Sequence, residues 1–273
     1  MIQGYGLGVG VRLAMRGAFR RSLRYLVVPV NYWRHLEYGL ACEALRVKSG
    51  DLVLDVGSPK LLSVYLAEKE GATVWATDID GYFIPEYESV RRILCIPSDR
   101  LRLAVMDGRR LEFGDGVFSK AYAISVLEHI PGAGDTECLA EMARVLSPGG
   151  VCVVTVPFWP TPRVDNRADF YWSNASSQDS EGRIFYQRRY SEAELHERLI
   201  APSGLALEKL LYVGERVLTG SNREVGDYLN PLLGPIQPML SRLLHTKPTP
   251  NWRDLKKPLC AFLVLRKPAS ELT

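Results

Sequence analysis

Three aspartates end three short apolar segments in the first part of the chain. Asp55, Asp78 and Asp107 each come at the end of such a segment and directly before a turn. Parallel strands over these segments would end at one edge of a sheet and bring the carboxylates together there. Asp78 lies 23 residues after Asp55, the spacing of the second strand tip in a doubly wound fold. A carboxylate there can accept hydrogen bonds from both hydroxyls of a ribose.

The turn after Asp55 suits an anionic group. Gly57 permits a close turn. Ser58 is predicted to be the N-cap of a helix, with Pro59 acceptable as its first residue. Backbone N–H groups and the positive end of the helix dipole would then face a carboxylate or phosphate. The turn lacks the G-x-G-x-x-G pattern of dinucleotide sites. Lys60 is interpreted as a solvated lysine, although it could also reach a ligand carboxylate.

Longer motifs follow in a fixed order. An Asp-x-Gly motif at 55–57 is followed by Asp-Gly at 107–108, Leu-Glu-His-Ile-Pro at 127–131 and Ser-Pro-Gly-Gly at 147–150. The sequence over 52–158, and more weakly over 186–207, resembles the class I S-adenosylmethionine-dependent methyltransferases. It is similar to their broad small-molecule group, which includes ubiquinone-biosynthesis-type enzymes. The family usually has Asp-x-Gly-x-Gly, and Pro59 stands where its second glycine would be.

The resemblance implies S-adenosyl-L-methionine as the cofactor and assigns roles to the strand tips. Asp78 would accept hydrogen bonds from the ribose, with Asp80 as the reserve, and Asp107 would accept from the adenine amino group. The cofactor-binding residues implied in this way are Asp55, Gly57, Ser58, Asp78, Ile79, Asp107, Gly108 and Ser125.

The implied reaction is an in-line displacement that moves a sulfonium methyl group to a nucleophile. Holding both reactants in a dry, oriented pocket supplies much of the rate, so no nucleophilic side chain is required. If the acceptor is a hydroxyl, His129 is the best-placed catalytic base. The alternative for His129 is a structural histidine that holds its loop by hydrogen bonds. His35, His196 and His245 are isolated in the sequence and receive no role.

The predicted fold is α/β: a Rossmann-like doubly wound, mostly parallel seven-stranded sheet with an antiparallel last strand. Residues 1–48 are predicted to be a helical extension that could act as a lid, and 49–273 the methyltransferase domain. Within the domain, the aromatic-rich segment 157–190 is interpreted as a substrate loop and 222–258 as a helical insert before the last strand. The predicted strands are 52–54, 73–77, 101–105, 121–126, 151–156, 205–212 and 259–265.

The beginning of the chain is basic although the net charge of the 273 residues is only +3. No Asp or Glu precedes Glu37, whereas arginines recur from Arg12 onward. Alternating glycines predict a flexible lead over 1–10, and 11–28 has an imperfect amphipathic pattern. Three interpretations stay open for this segment: a packing helix, a lid over the cofactor, or a peripheral contact with anionic lipid.

Composition and motifs narrow the remaining classes. Five scattered cysteines without a C-x-x-C pair indicate neither a disulfide framework nor a zinc site, and no metal is predicted. No apolar run approaches the ~20 residues that span a bilayer, so a cytoplasmic protein is expected, with membrane association as the variant. The predicted acceptor is a small, apolar or aromatic molecule. Nucleic acid is disfavoured, but an RNA methyltransferase and a non-catalytic scaffold are the alternatives.

Overall fold

The computed structural model describes residues 1–167, 181–216 and 236–269. Its central sheet consists of β1 (Leu52–Val56), β2 (Thr73–Asp78), β3 (Leu101–Val105), β4 (Phe118–Ile124), β5 (Leu146–Pro157), β8 (Ala206–Gly214) and β9 (Pro258–Arg266). These strands lie in the order β3-β2-β1-β4-β5-β9-β8. The strands β1 to β5 pair in parallel, whereas β9 runs antiparallel to both β5 and β8. The predicted mostly parallel sheet with an antiparallel last strand is confirmed.

Helices cover both faces of this sheet. Those of more than three residues are α1 (Ile2–Met15), α2 (Phe19–Val27), α3 (Tyr32–Leu45), α4 (Leu61–Lys69), α5 (Ile84–Ile93), α6 (Gly134–Val145), a π-helix (Leu195–Ile200) and α9 (Gln237–Leu244). Two three-residue turns, α7 (Glu192–Glu194) and α8 (Ala201–Ser203), flank the π-helix. Successive residues of a strand point to opposite faces, so Val53 joins the core under α1, α3, α4 and α5, and Leu54 joins the core under α6.

Two helices occupy residues 2–15 and 19–27, so the prediction of a flexible lead over 1–10 is wrong. Helix α1 begins at Ile2, and the segment expected to form one amphipathic helix is divided at Gly17, which has a φ of +77°. A Cβ atom on Gly6 would lie 2.5 Å from the Cβ of Pro29, and one on Gly10 would lie 2.9 Å from the Cγ of Leu26. The glycines therefore allow α2 and the chain after it to pack closely on α1.

The segment 157–190 contains a hairpin of β6 (Arg163–Arg167) and β7 (Ile184–Arg189). Buried Asp135 at the start of α6 holds the end of this hairpin, accepting hydrogen bonds from Arg188, Tyr190 and Arg198 at 2.6–2.9 Å. The aromatic residues Phe170, Tyr171 and Trp172 and the first part of the insert, 222–235, lie outside the described residues.

Two features are absent from the residues that the structure describes. No helix within 1–167, 181–216 and 236–269 is long and apolar enough to cross a bilayer. Across the same ranges, no group of His, Cys, Asp and Glu side chains could hold a metal ion.

Candidate active site

The turn after β1 is longer than the sequence indicates. Helix α4 begins at Leu61 without a side-chain cap, so the prediction that Ser58 is its N-cap is wrong. Instead, buried Ser58 donates its N–H to the Asp55 carboxylate at 3.0 Å, and its Oγ accepts the N–H of Ile124 at 2.8 Å. Gly57 has a φ of +65°, and a Cβ there would lie 2.7 Å from Val126. Ser58 and Gly57 thus fix the turn against β4 and the residues after it.

Asp55 points into the protein. Its carboxylate accepts a short hydrogen bond from the Ser63 hydroxyl, which also lies 2.7 Å from the Tyr122 hydroxyl. Burial raises the pKa of Asp55, and the nearby Lys60 ammonium and the hydrogen bonds from Ser63 and Ser58 oppose this rise. The predicted residue is therefore at the site, where it organises the turn from below.

Lys60 is buried, so its interpretation as a solvated lysine is wrong. Its Nζ donates to the carbonyl oxygen of Thr77 at 2.8 Å and lies 3.6 Å from Asp55 and 3.8 Å from Asp78. It also lies 5.0 Å from the ring centroid of Phe83. A single ammonium group therefore joins the acids of two strand tips. In the sequence, Lys60 follows the turn after Asp55 and precedes Asp78, which hinted at a pairing with acids. Only the fold brings Asp78 close to the Lys60 ammonium.

Asp78 sits at the tip of β2 beside exposed apolar side chains. Its residue is only 6% exposed, whereas Ile79, Tyr82 and Val105 are 44%, 65% and 53% exposed. Burial raises the pKa of Asp78, and Lys60 opposes this. The reserve candidate Asp80 instead accepts the N–H of Tyr82 at 3.2 Å, at the start of a 3₁₀ turn. Asp78 thus combines a carboxylate with an apolar shelf that suits a flat ring.

Asp107 is already engaged by the chain. Its two oxygens accept from the Arg109 side chain at 2.7–3.0 Å, and Oδ1 also accepts the Arg109 N–H at 2.9 Å. These hydrogen bonds lower the pKa of Asp107. A Cβ on neighbouring Gly108 would lie 2.8 Å from the Sγ of Cys138, so the chain passes close to α6 here. A ligand amino group would compete with Arg109 for these oxygens.

Ser125 follows β4 with a φ of +51°, a strained conformation for a residue other than glycine. Its hydroxyl donates to Glu37 at 2.8 Å, as does the hydroxyl of Thr155 on β5. The other Glu37 oxygen accepts from Arg34 at 2.6 Å. This buried carboxylate ties α3 to the tips of β4 and β5. Sequence reasoning noted Glu37 only as the first acid of the chain.

His129 contacts the hairpin. Its Nδ1 lies 2.7 Å from the carbonyl oxygen of Tyr186, and the two rings meet edge to face at 5.2 Å. Because a carbonyl oxygen only accepts, Nδ1 carries the proton, and Nε2 is the basic atom of the neutral ring. Nε2 lies 3.8 Å from the carboxylate of Glu128. The geometry includes the loop-holding hydrogen bond, and the role as a base stays a prediction.

His245 is not isolated. It is buried, with its ring centroid 4.1 Å from that of Tyr32 and 4.8 Å from that of Trp33, and its Nδ1 lies 3.0 Å from the Ser241 hydroxyl. Burial lowers the pKa of His245 to about 4, so its ring is neutral at pH 7. Within the described part of the chain, neither its Nε2 nor the Tyr32 hydroxyl has a hydrogen-bond partner.

The sheet order and the acids at successive strand tips define a class I methyltransferase fold. Residues 54–154 match the family model described as a methyltransferase domain. The chain therefore contains a methyltransferase domain, which confirms the predicted class of protein, and S-adenosylmethionine is the cofactor of that class. No curated protein matches the sequence.

Solved structures of the same fold have little sequence in common with this chain. The [4+2]-cyclase SpnF is 17% identical to this chain and has a TM-score of 0.57; the match covers 87% of this chain and 82% of the SpnF chain. The Burkholderia thailandensis 1,6-didemethyltoxoflavin-N1-methyltransferase, with S-adenosylhomocysteine bound, is 17% identical over 85% of this chain and 76% of its own, with a TM-score of 0.54. A geranyl diphosphate methyltransferase in complex with the cofactor is 14% identical over 86% and 85%, with a TM-score of 0.56. The TM-scores, all above 0.5, show that these proteins share the fold of this chain.

Proposed function

We propose that this methyltransferase acts on a small, largely apolar or aromatic acceptor, and that it binds S-adenosylmethionine across the tips of β1, β2 and β3. The observation that carries the proposal is the buried carboxylate of Asp78 beside the exposed side chains of Ile79, Tyr82 and Val105. An acid next to an exposed apolar shelf has the chemistry of a site for a ribose and its attached base.

The residues at the three strand tips would each contact a different part of the cofactor. Asp78 would accept from the ribose hydroxyls, and Ile79 and Val105 would lie against the adenine ring. Lys60, whose ammonium lies 3.8 Å from Asp78, adds positive charge for the cofactor carboxylate. Asp107 would receive the adenine amino group by releasing one Arg109 bond. The bound cofactor supplies the electrophilic methyl group, and the chain supplies position and charge.

On the acceptor side, His129 would take the proton of a hydroxyl acceptor. Its Nε2 is the basic nitrogen of the neutral ring because Nδ1 donates its proton to the Tyr186 carbonyl oxygen. The Glu128 carboxylate, 3.8 Å from Nε2, would stabilise the positive charge that the ring acquires. We expect His129→Gln to slow transfer to a hydroxyl acceptor about a hundredfold or more while the dissociation constant of the cofactor is unchanged.

Tyr32 and His245 would complete the acceptor pocket. Both belong to segments that flank the tips of β4 and β5, since Glu37 joins α3 to these tips and His245 packs against Tyr32. Their buried polar atoms could bond an acceptor, while the rings supply aromatic surface. The toxoflavin-type and geranyl diphosphate methyltransferases of the same fold also support a small-molecule acceptor.

One observation favours a second candidate, a scaffold that binds no cofactor. The chain's own cations, Lys60 and Arg109, already contact the acids at all three tips. SpnF, named as a cyclase, illustrates that this fold is not confined to methyl transfer.

Calorimetry with S-adenosylmethionine and S-adenosylhomocysteine separates the two candidates. Replacing Asp78 by Ala removes a charged hydrogen-bond acceptor worth roughly 1.5–3 kcal/mol, so we expect about ten- to a hundredfold weaker binding. Exposed Asp99, replaced in the same way, is the matched control and should bind as the wild type does. Absence of binding by the folded wild-type protein would identify the scaffold. If the wild-type protein binds the cofactor, native mass spectrometry of the purified protein would identify a copurifying acceptor and its methylated form.

A further inference from the structure

The first two helices carry a row of exposed apolar side chains. Along α1 and α2 these residues recur every fourth position, which places them on one face of each helix. We call this set the N-terminal apolar face; its members and their exposed fractions are Leu7 36%, Val11 49%, Met15 79%, Phe19 69% and Leu23 62%. A row of five large apolar side chains exceeds the scattered single residues that ordinary protein surfaces expose.

The opposite face of the same helices is already packed. Val9, Leu13 and Tyr25 are buried in the core. The Glu68 carboxylate of α4 accepts hydrogen bonds from Tyr5 and Arg12, both at 2.6 Å. The N-terminal apolar face is therefore the outer surface of a docked layer, and its exposure does not come from helices that have failed to pack.

Exposed arginines interleave with this face. Arg16 and Arg20 flank Phe19 in sequence, are exposed, and form no ion pair with any residue that the structure describes. Arg21 donates to the uncharged Ser89 hydroxyl at 3.1 Å. Since no acid precedes Glu37, no carboxylate of these helices neutralises them. The surface is both apolar and cationic.

We propose that the N-terminal apolar face binds the surface of an anionic lipid bilayer, with Phe19 and Leu23 entering the acyl boundary and Arg16 and Arg20 contacting lipid phosphates. Amphipathic helices that lie in the interface combine these two features. A guanidinium group pairs well with phosphate, and each cationic residue gains affinity near anionic lipid.

Charge decides against a second copy of the chain as the occupant. In a two-fold dimer built on this face, the patch would meet itself and bring the same arginines together. A lid over the cofactor is disfavoured as well, because it would pack Phe19 and Leu23 against protein, and both are exposed. The lipid proposal is independent of the proposed acceptor and is tested without cofactor.

The test is cosedimentation of the full chain with vesicles of phosphatidylcholine alone or with about 30 mol% phosphatidylglycerol, over a series of NaCl concentrations. We expect sedimentation only with the anionic vesicles, and less of it as salt rises. The double variant Phe19→Ser/Leu23→Ser should reduce the partition coefficient about tenfold or more, because it removes the inserted surface. Arg16→Gln/Arg20→Gln should reduce it by a similar factor and weaken its dependence on salt.

Two matched controls keep the test specific. Met239 and Leu243 of α9 are 53% and 58% exposed, so Met239→Ser/Leu243→Ser removes comparable apolar surface elsewhere. Arg92→Gln/Arg110→Gln removes the same charge from two other exposed arginines. Both controls should sediment as the wild type does, and circular dichroism checks that every variant is folded.

Three results would overturn the proposal. The first is no sedimentation of the wild type with anionic vesicles. The second is sedimentation of the Phe19→Ser/Leu23→Ser variant at the wild-type level. The third is a dimer in analytical ultracentrifugation that this variant abolishes, since the face would then be an interface between copies.

Discussion

The tips of β1, β2 and β3 differ from the α3–α9 contact in how their buried polar groups are satisfied. At the strand tips, Asp55 and Asp78 share the Lys60 ammonium, and Asp107 is held by Arg109. Between α3 and α9, the Tyr32 hydroxyl and His245 Nε2 have no hydrogen-bond partner among the described residues. Leaving a buried polar group without a partner costs about 1–3 kcal/mol. The first region is organised before any ligand arrives, whereas the second retains polar atoms that a ligand could satisfy.

The largest effect should come from removing the cation that organises the first region. Lys60→Met leaves two buried carboxylates without their shared ammonium, and breaking a buried ion pair in this way costs about 3–5 kcal/mol. Urea unfolding at pH 7 measures the loss. Lys69→Met on the same helix is the matched control, because Lys69 is half-exposed and its pair with Glu68 contributes less than about 1 kcal/mol.

The stability of the Lys60→Met variant should depend on pH in a predictable way. Lys60 lowers the pKa values of Asp55 and Asp78 against the effect of burial, so its removal raises both further. A raised pKa in the folded state favours folding at low pH and loses that contribution as pH rises. The stability difference between Lys60→Met and the wild type should therefore narrow toward pH 4. A constant difference, or a loss below about 1 kcal/mol at pH 7, would contradict the pairing.

A smaller effect is expected in the second region. The pKa of His245 is lowered to about 4 in the folded protein, so the unfolded chain binds its proton first as pH falls below about 6.5. This histidine should reduce the free energy of unfolding by about 2 kcal/mol between pH 7 and 5. His245→Phe keeps a ring beside Tyr32 and should remove that part of the pH dependence. Urea unfolding at both values measures it, with exposed His196→Gln as the control that leaves the dependence unchanged.

The smallest effect is expected on cofactor affinity when the Arg109 side chain no longer pairs with Asp107. The Arg109 pair is partly exposed, with 43% and 35% of the two side chains accessible, so its removal is worth less than about 1 kcal/mol. If adenine uses Asp107, Arg109→Ala should strengthen cofactor binding by up to about fivefold. Arg110→Ala, at the exposed neighbour, should leave affinity unchanged. Weaker binding of Arg109→Ala would mean that the guanidinium itself holds the cofactor.

The sheet could be predicted from local sequence patterns because burial and turn formation, which produce the strands, depend on neighbouring residues. Buried parallel strands appear in the sequence as apolar runs bounded by turns, so the observed β3 matches its predicted range. β9 extends its predicted range by one residue at each end, and β8 begins one residue later and ends two residues later than predicted. The acids at the strand tips followed from the same regularity.

The wrong predictions concern residues whose environment is set by residues far away in the sequence. Gly6 and Gly10 looked flexible because Pro29 and Leu26, the residues they pack against, are distant along the chain. Lys60 looked solvated because burial of its ammonium depends on Thr77 and Asp78 of the neighbouring strand. His245 looked isolated because its aromatic partners belong to α3. In each case the residue type allowed two environments, and tertiary contacts selected one.

The position of β9 in the sheet has a consequence for synthesis on the ribosome. β9 lies between β5 and β8, although it follows both in the chain. Until residues 258–266 emerge, β5 presents an unpaired edge and β8 has no partner in the sheet. Open strand edges are where nascent chains associate wrongly. The parallel part of the sheet can therefore form during translation, whereas closure of its other half must wait for the last strand.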